Sequence, residues 1–329
     1  MKNLILHIGF GKTGTSKLQK HIFPYIASIR NLKYFGDEAK DQNNIERQKI
    51  NLILTNHVAK MDVGMECKKL NIPDNYLISN EELSSYRNAQ YIDEFAEKNL
   101  IAFGPEAHVI LGIREPNNWL SSVYLQLCAH EKPVVKPEHF FLNNKNYSER
   151  LPNVKFNIEE FSYSKIINAY KKRFKNFTYV KYECIKDMEF LQDIFNLNNS
   201  ELDVTKKLYK NKIVNRGFSK NSYYITKKYG SFLNTLGLNY ISKYSNEVLL
   251  DRINDEYLIQ KSKQKNSIKV IISKRIGNIF HYKTIFQNFL DKILPYEKYI
   301  VNFDQIKNFN IDKLEKEYDG LLDWKTYRK

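Results

Sequence analysis

The chain has 329 residues, enough for one large α/β domain or two small ones, and its apolar share of 42% supports a packed core rather than disorder. Lys and Arg number 52 against 37 acidic residues, a formal net charge of +15 that favours anionic partners: a nucleotide, an acidic glycan, nucleic acid or an anionic membrane surface. No stretch approaches the ~20 apolar residues of a membrane span, and the apolar start Leu4 to Phe10 is too short for a signal segment, so a cytoplasmic chain is expected, able to rest against a membrane through its basic surface.

Leu4 to Ile8 is a short apolar run ending in glycine, which suits a buried parallel strand. Leu18, Ile22, Ile26 and Ile29 then recur at helical spacing, with Pro24 as a kink or break. A second strand is expected near Leu32 to Phe35 and a helix over 45–61. Tyr76 to Ser79 reads as a buried strand running into an acidic helix start at Glu81-Glu82, with residues 91–100 as the end of that helical region. Val109 to Ile113 is a third strong strand, broken by Pro116 and followed by a helix over Trp119 to Leu127. Residues 133–157, rich in Pro and Asn, read as a long surface excursion. Ile158 to Phe174 reads as a helix, Phe177 to Val180 as a strand and Asp187 to Phe195 as a helix.

Strands alternating with helices argue for an α/β fold with a parallel sheet covered on both faces. From about residue 200 the strand signals fade, and a helical C-terminal third is expected to pack on the sheet. The expected organisation is one domain over 1–329: a nucleotide-binding core over 1–200 and a mainly helical part over 201–329 that supplies a lid and an acceptor pocket. Cys67, Cys128 and Cys184 form no CxxC pair and no zinc set, so buried free thiols and no metal site are expected.

The segment Gly9-Phe10-Gly11-Lys12-Thr13-Gly14-Thr15-Ser16 stands between a strand and a helix, where an α/β protein holds phosphate. A helix start offers free N–H groups and a positive dipole end, and glycines let the backbone approach an anion. Lys12 adds a mobile charge, and Thr13, Thr15 and Ser16 carry hydroxyl donors. The spacing is not that of GxxxxGK[ST], which would need glycine where Leu6 stands. A plain glycine turn with an exposed lysine is the bland alternative. Further along, Arg114 ends a strand, where a guanidinium can fork onto a phosphate, and Ser122 follows on the next helix. The bland alternatives there are a structural ion pair and a surface serine.

His7 to Ser16, with Leu18-Gln19, resembles the 5′-phosphosulfate loop of sulfotransferases that use the nucleotide PAPS, bacterial and carbohydrate-acting members above all. Ser16 stands where the family often has a second threonine. Val109 to Pro116 with Ser122 resembles the family's 3′-phosphate element, a strand ending in Arg-acidic-Pro with a serine eight positions after the arginine. Ser79 to Ser84 resembles the family's Ser-Ser-Glu stretch, with Asn80 in place of a serine and Glu81 at the position of the base. Favourable charge at a helix start would also explain Glu81 and Glu82. Asn215 to Ser219 resembles a segment that closes over the nucleotide, and Arg216 and Ser219 carry that likeness.

The resemblance implies a P-loop-type three-layer fold and transfer of a sulfuryl group from PAPS, leaving PAP, to a hydroxyl of a carbohydrate acceptor. It implies contacts to the nucleotide from Gly11, Lys12, Thr13, Gly14, Thr15, Ser16, Arg114, Ser122, Arg216 and Ser219, with Lys12 and Glu81 as the catalytic pair. The alternatives are a kinase-like phosphotransferase and a basic nucleic-acid-binding protein. A kinase would want a strand-end aspartate for Mg²⁺, and the strand ends here carry Asn80-Glu81 and Arg114-Glu115. The basic runs Lys171 to Arg173, Lys206-Lys207 and Lys227-Lys228 lie on separate segments with no recognisable nucleic-acid motif, so nucleic acid is not the expected partner.

Overall fold

Five short apolar segments and one amphipathic one pair into a six-stranded sheet in the order β2-β3-β1-β4-β5-β6. The strands are β1 (Ile5–Gly9), β2 (Lys33–Gly36), β3 (Tyr76–Ser79), β4 (His108–Ile113), β5 (Asn176–Lys181) and β6 (Trp324–Arg328). The computed structural model describes residues 4–36, 45–62, 65–72, 75–84, 92–131, 161–210, 219–225, 293–306 and 311–329, with a few single positions besides. β1 to β5 run parallel, and β6 lies antiparallel to β5 with Val180 opposite Trp324. β1 and β3 are buried from end to end and β4 at every position after His108, as expected when helices cover both faces of a parallel sheet.

A continuous helical run, α1, follows β1 as α-helix Thr15–Lys17, a wider π-turn Leu18–Ile22 and α-helix Phe23–Ile29. Pro24 sits in the first turn of the last piece, where its missing N–H costs least, and the widened turn lies directly before it. The other helices are α2 (Ile45–Asp62), α3 (Ile92–Phe103), α4 (Pro116–Glu131), α5 (Tyr163–Arg173), α6 (Glu189–Phe195), α7 (Asn199–Lys210) and α8 (Asp312–Asp319). On one face of the sheet, Leu18, Ile22, Phe23 and Ile26 of α1 pack with Phe190 and Leu191 of α6 over Ile5, Leu77, Ile110 and Val180. On the other, Tyr170 of α5 stacks on Phe177 of β5, and Arg173 ties α5 to α3 through Glu97 and Asp93. Each fully buried aromatic ring in these layers contributes on the order of 2–3 kcal/mol of burial. Among the described residues no helix is long and apolar enough to cross a membrane.

The chain divides into two compact units, Met1–Trp119 with Asn157–Asn215 and Asn310–Lys329, and Leu120–Phe156 with Arg216–Phe309. The first holds the whole sheet. In the second, Tyr223 stacks on Tyr299 with centroids 3.8 Å apart, Tyr124 and Tyr223 share a hydroxyl contact of 3.0 Å, and Ser121 Oγ accepts from the Val301 N–H at 2.9 Å.

Several elements differ from the sequence reading. β6 was not expected at all: Trp-Lys-Thr-Tyr-Arg is half polar because it is an edge strand, and β-edge strands carry charge without penalty. The helix after β4 begins at Pro116 itself, since proline suits a first helical position. Glu81–Ser84 is a 3₁₀ turn and α3 spans Ile92–Phe103, with residues 85–91 outside the described ones. The helix α5 starts at Tyr163 because Ser162 caps it, its hydroxyl accepting from the Lys165 N–H at 3.2 Å, a contact worth about 1 kcal/mol. The expected excursion over 133–157 falls mostly outside the described residues, yet Phe141 within it is buried against Phe303. Cys67 and Cys184 are free and half-exposed rather than buried, and the Cys128 side chain lies outside the described residues.

Candidate functional site

The parallel sheet reverses its strand order at β1. The chain leaves β1 for β2 and β3 on one side and returns to β4 on the other, so the loop after β1 opens at the carboxyl ends of the strands, where open α/β sheets gather ligands. Residues 10–14 fill that position and lead into α1.

The loop is held by its carbonyls. Phe10 O accepts from Thr13 Oγ1 at 2.6 Å, Gly11 O from Trp119 Nε1 at 3.0 Å, Lys12 O from Arg114 Nη1 at 2.9 Å and Gly14 O from the Lys17 N–H at 3.1 Å. In a trans peptide the carbonyl and the following N–H point in opposite directions. The amide hydrogens of Gly11, Lys12, Thr13 and Thr15 are therefore directed away from those internal donors. Lys12 takes a φ of 72°, left-handed backbone that costs an ordinary residue about 1–2 kcal/mol, and Gly14 takes 74°. Strain of this kind is stored where the surrounding contacts over-determine it.

Glycine is required at two places. A Cβ on Gly14 would stand 2.4 Å from Tyr182 Cε2, so the loop lies directly on that ring. A Cβ on Gly9 would come within 3.2 Å of the Glu81 Cα, so the end of β1 passes closely by the turn after β3.

That turn is tied to the loop. The Asn80 N–H donates to His7 O at 2.9 Å, Asn80 Oδ1 accepts from the Glu82 N–H at 2.9 Å, and the Thr15 hydroxyl donates to the Glu81 carboxylate. Beneath it, Gln19 Nε2 donates to Ser79 Oγ at 3.1 Å and His7 Nδ1 lies 2.7 Å from the same oxygen. Burial holds the His7 imidazole down at about 3, so it is neutral and structural.

Arg114 reaches the loop from β4. Its guanidinium lies over the Tyr182 ring, 4.5 Å from the centroid, and its carbonyl accepts from the Tyr163 hydroxyl at 2.6 Å. Among the described residues nothing accepts from its buried Nε. Lys17 donates to Tyr209 O at 3.0 Å and stands 4.4 Å over the Tyr209 ring, while burial pushes the Tyr209 phenol up to about 12, with Tyr182 adding to the rise and Arg114 opposing it.

Gly11, Lys12, Thr13, Gly14, Thr15, Ser16, Glu81 and Arg114 all lie in the first unit, and the contacts above bring the loop, Glu81 and Arg114 together. The Thr13 and Thr15 hydroxyls, expected to face an anion, are instead given to Phe10 and Glu81. Ser122 is half-buried on α4, in the second unit. Ser219 is buried in the second unit, where its hydroxyl donates to Ser222 Oγ at 2.9 Å, and Arg216 lies outside the described residues. Trp119, Tyr182 and Tyr209 were not expected at the site from the sequence. A tryptophan five residues after Arg114 gives no sign that its indole turns back to a loop a hundred positions earlier.

Comparison with protein-family models, with curated proteins and with solved structures found no match. The chemistry of the site is carried by its own geometry. An arginine with an unpartnered Nε and a carboxylate that accepts from a loop hydroxyl stand beside the loop that opens α1.

Proposed function

We propose that the chain is a PAPS-dependent sulfotransferase with a P-loop-type sheet, acting on a hydroxyl of a carbohydrate. The observation that carries the reading is the convergence of Glu81 and Arg114 on one loop: Thr15 donates to the Glu81 carboxylate, and Arg114 donates to the Lys12 carbonyl. The loop amides fit a 5′-phosphosulfate, and the orphaned Arg114 Nε, on a guanidinium stacked over Tyr182, fits a 3′-phosphate.

In this reading the acceptor oxygen attacks sulfur in line, the bond from sulfur to the 5′-phosphate oxygen breaks, and the acceptor proton passes to Glu81. PAP leaves with the bonding pair, its new charge met by Lys12 and the loop amides. The carbohydrate acceptor rests on the resemblance of the loop and on the net charge of +15, which would draw an acidic glycan.

The test is calorimetric binding of PAP together with transfer of labelled sulfate from PAPS to a panel of glycans, with and without EDTA. Micromolar PAP binding and EDTA-resistant transfer are expected. Glu81→Gln should keep PAP affinity within about twofold and lose turnover by at least about a hundredfold, the scale of a general base. A chain that binds neither PAP nor PAPS rules the reading out.

A further inference from the structure

Two residues beyond Glu81, the carbonyl of Leu83 faces the interior, and Leu83 itself is fully buried. Side chains from two helices reach that one oxygen. Asn99 of α3 donates from Nδ2 at 2.8 Å, and Tyr170 of α5 donates its hydroxyl at 3.4 Å. Asn99 Nδ2 also donates to the Tyr170 oxygen at 3.0 Å, so both its amide hydrogens are used. Its Oδ1 lies 3.0 Å from Nε2 of His57 on α2. An amide oxygen only accepts, so that ring nitrogen carries a hydrogen, which in the neutral ring is the Nε2–H tautomer. Burial lowers the His57 pKa and favours the same neutral form.

A leucine at position 99 would fill a similar volume with no polar atoms to satisfy, and buried polar groups are costly unless every partner is present. Here every amide atom of Asn99 has a partner: α3 and α5 both reach one carbonyl, and α2 holds Asn99 through His57. That carbonyl belongs to the turn whose first residue is Glu81. The turn is fixed at its start by the Asn80 N–H on His7 O and internally by Ser84 Oγ on Glu81 O at 2.9 Å. The Glu82 N–H on Asn80 Oδ1 and the Leu83 N–H on Asn80 O close it further, and the Leu83 carbonyl ties it to α3 and α5.

We propose that Asn99, oriented by His57 and backed by Tyr170, is a positioning residue for Glu81: its bond to the Leu83 carbonyl sets where the Glu81 carboxylate stands beside the loop. The proposal rests on Glu81 being the base, but the placement of the carboxylate is readable without turnover. The variants are Asn99→Leu and His57→Leu, which break the network, and His57→Gln, whose amide keeps an N–H donor for Asn99.

In protein labelled with ¹³C at glutamate carboxyls, the Glu81 resonance is identified by its loss in Glu81→Gln. It should move in both leucine variants and return in His57→Gln. In the transfer assay kcat should fall about tenfold to a hundredfold in the leucine variants, the scale of a small misplacement of a reacting group. The KM for PAPS and the PAP affinity should stay within about twofold, and His57→Gln should restore kcat. Should Asn99→Leu fail to fold, His57→Leu carries the same readouts. A Glu81 resonance at its wild-type position in a folded leucine variant overturns the proposal. Should Glu81→Gln keep its turnover while the resonance moves as expected, the assignment of the base fails and the positioning stands.

Discussion

At Gly14, conformation and packing make the same demand. Its φ of 74° belongs to the left-handed region, and the Tyr182 ring occupies the space a side chain would need. Gly14→Ala therefore has to shift either the loop or the ring under Arg114. The expected outcome is a loss of about 1–3 kcal/mol in stability, read as a melting temperature lower by roughly 2–4 °C per kcal/mol, together with PAP binding at least about tenfold weaker. Wild-type melting and PAP affinity would show that the loop does not rest on Tyr182 as described. The same residue shows how far side-chain roles can be read from sequence. Glycines and hydroxyls between a strand and a helix raise the expectation of an anion loop, but nothing in the letters says that Thr13 turns inward to Phe10 or that Thr15 turns to Glu81. Those directions follow from the left-handed backbone at Lys12 and Gly14, a property of the closed loop as a whole.

Among the elements, β1, β3, β4 and β5 were legible because each holds a short, mostly apolar and mostly buried run. β6 was not, because an edge strand alternates and carries Lys325 and Arg328 in a basic segment that resembles a loop. Its place matters nonetheless. Residues 311–329 bring Ile311, Leu314 and Tyr318 into the core of the first unit, and Thr326 continues a buried polar line through Thr178 at 2.9 Å to His108 at 2.8 Å. Chains ending at residue 310 should leave the β5 edge unpaired and lose these contacts. They are expected to unfold at least several degrees lower or to aggregate, as seen by thermal unfolding and size-exclusion chromatography. Melting unchanged from the full chain would show that α8 and β6 are dispensable.

For the molecule as a whole, acid is the weak side of stability. Burial holds His7 at about 3 and His108 at about 4, and it also lowers His57, each from the 6.5 of a free imidazole. Below pH 6.5 the unfolded chain binds protons that the folded chain refuses, so stability is complete above that pH and falls as the pH drops. Each histidine adds a slope of about 1.4 kcal/mol per pH unit between 6.5 and its folded value. Denaturant unfolding at pH 7.5, 6 and 5 should show a steady loss, and a flat profile would contradict the burial of these rings. The division of the first unit into three stretches has a further consequence, for how the protein is made. Domains tend to condense as they leave the ribosome, but this sheet is closed by a strand that is synthesised some hundred and forty positions after the one it pairs with. During translation the β5 edge waits open, and the contacts that close it carry the entropy cost of a long loop, so the sheet-bearing unit of the molecule matures late although its first strand is made early.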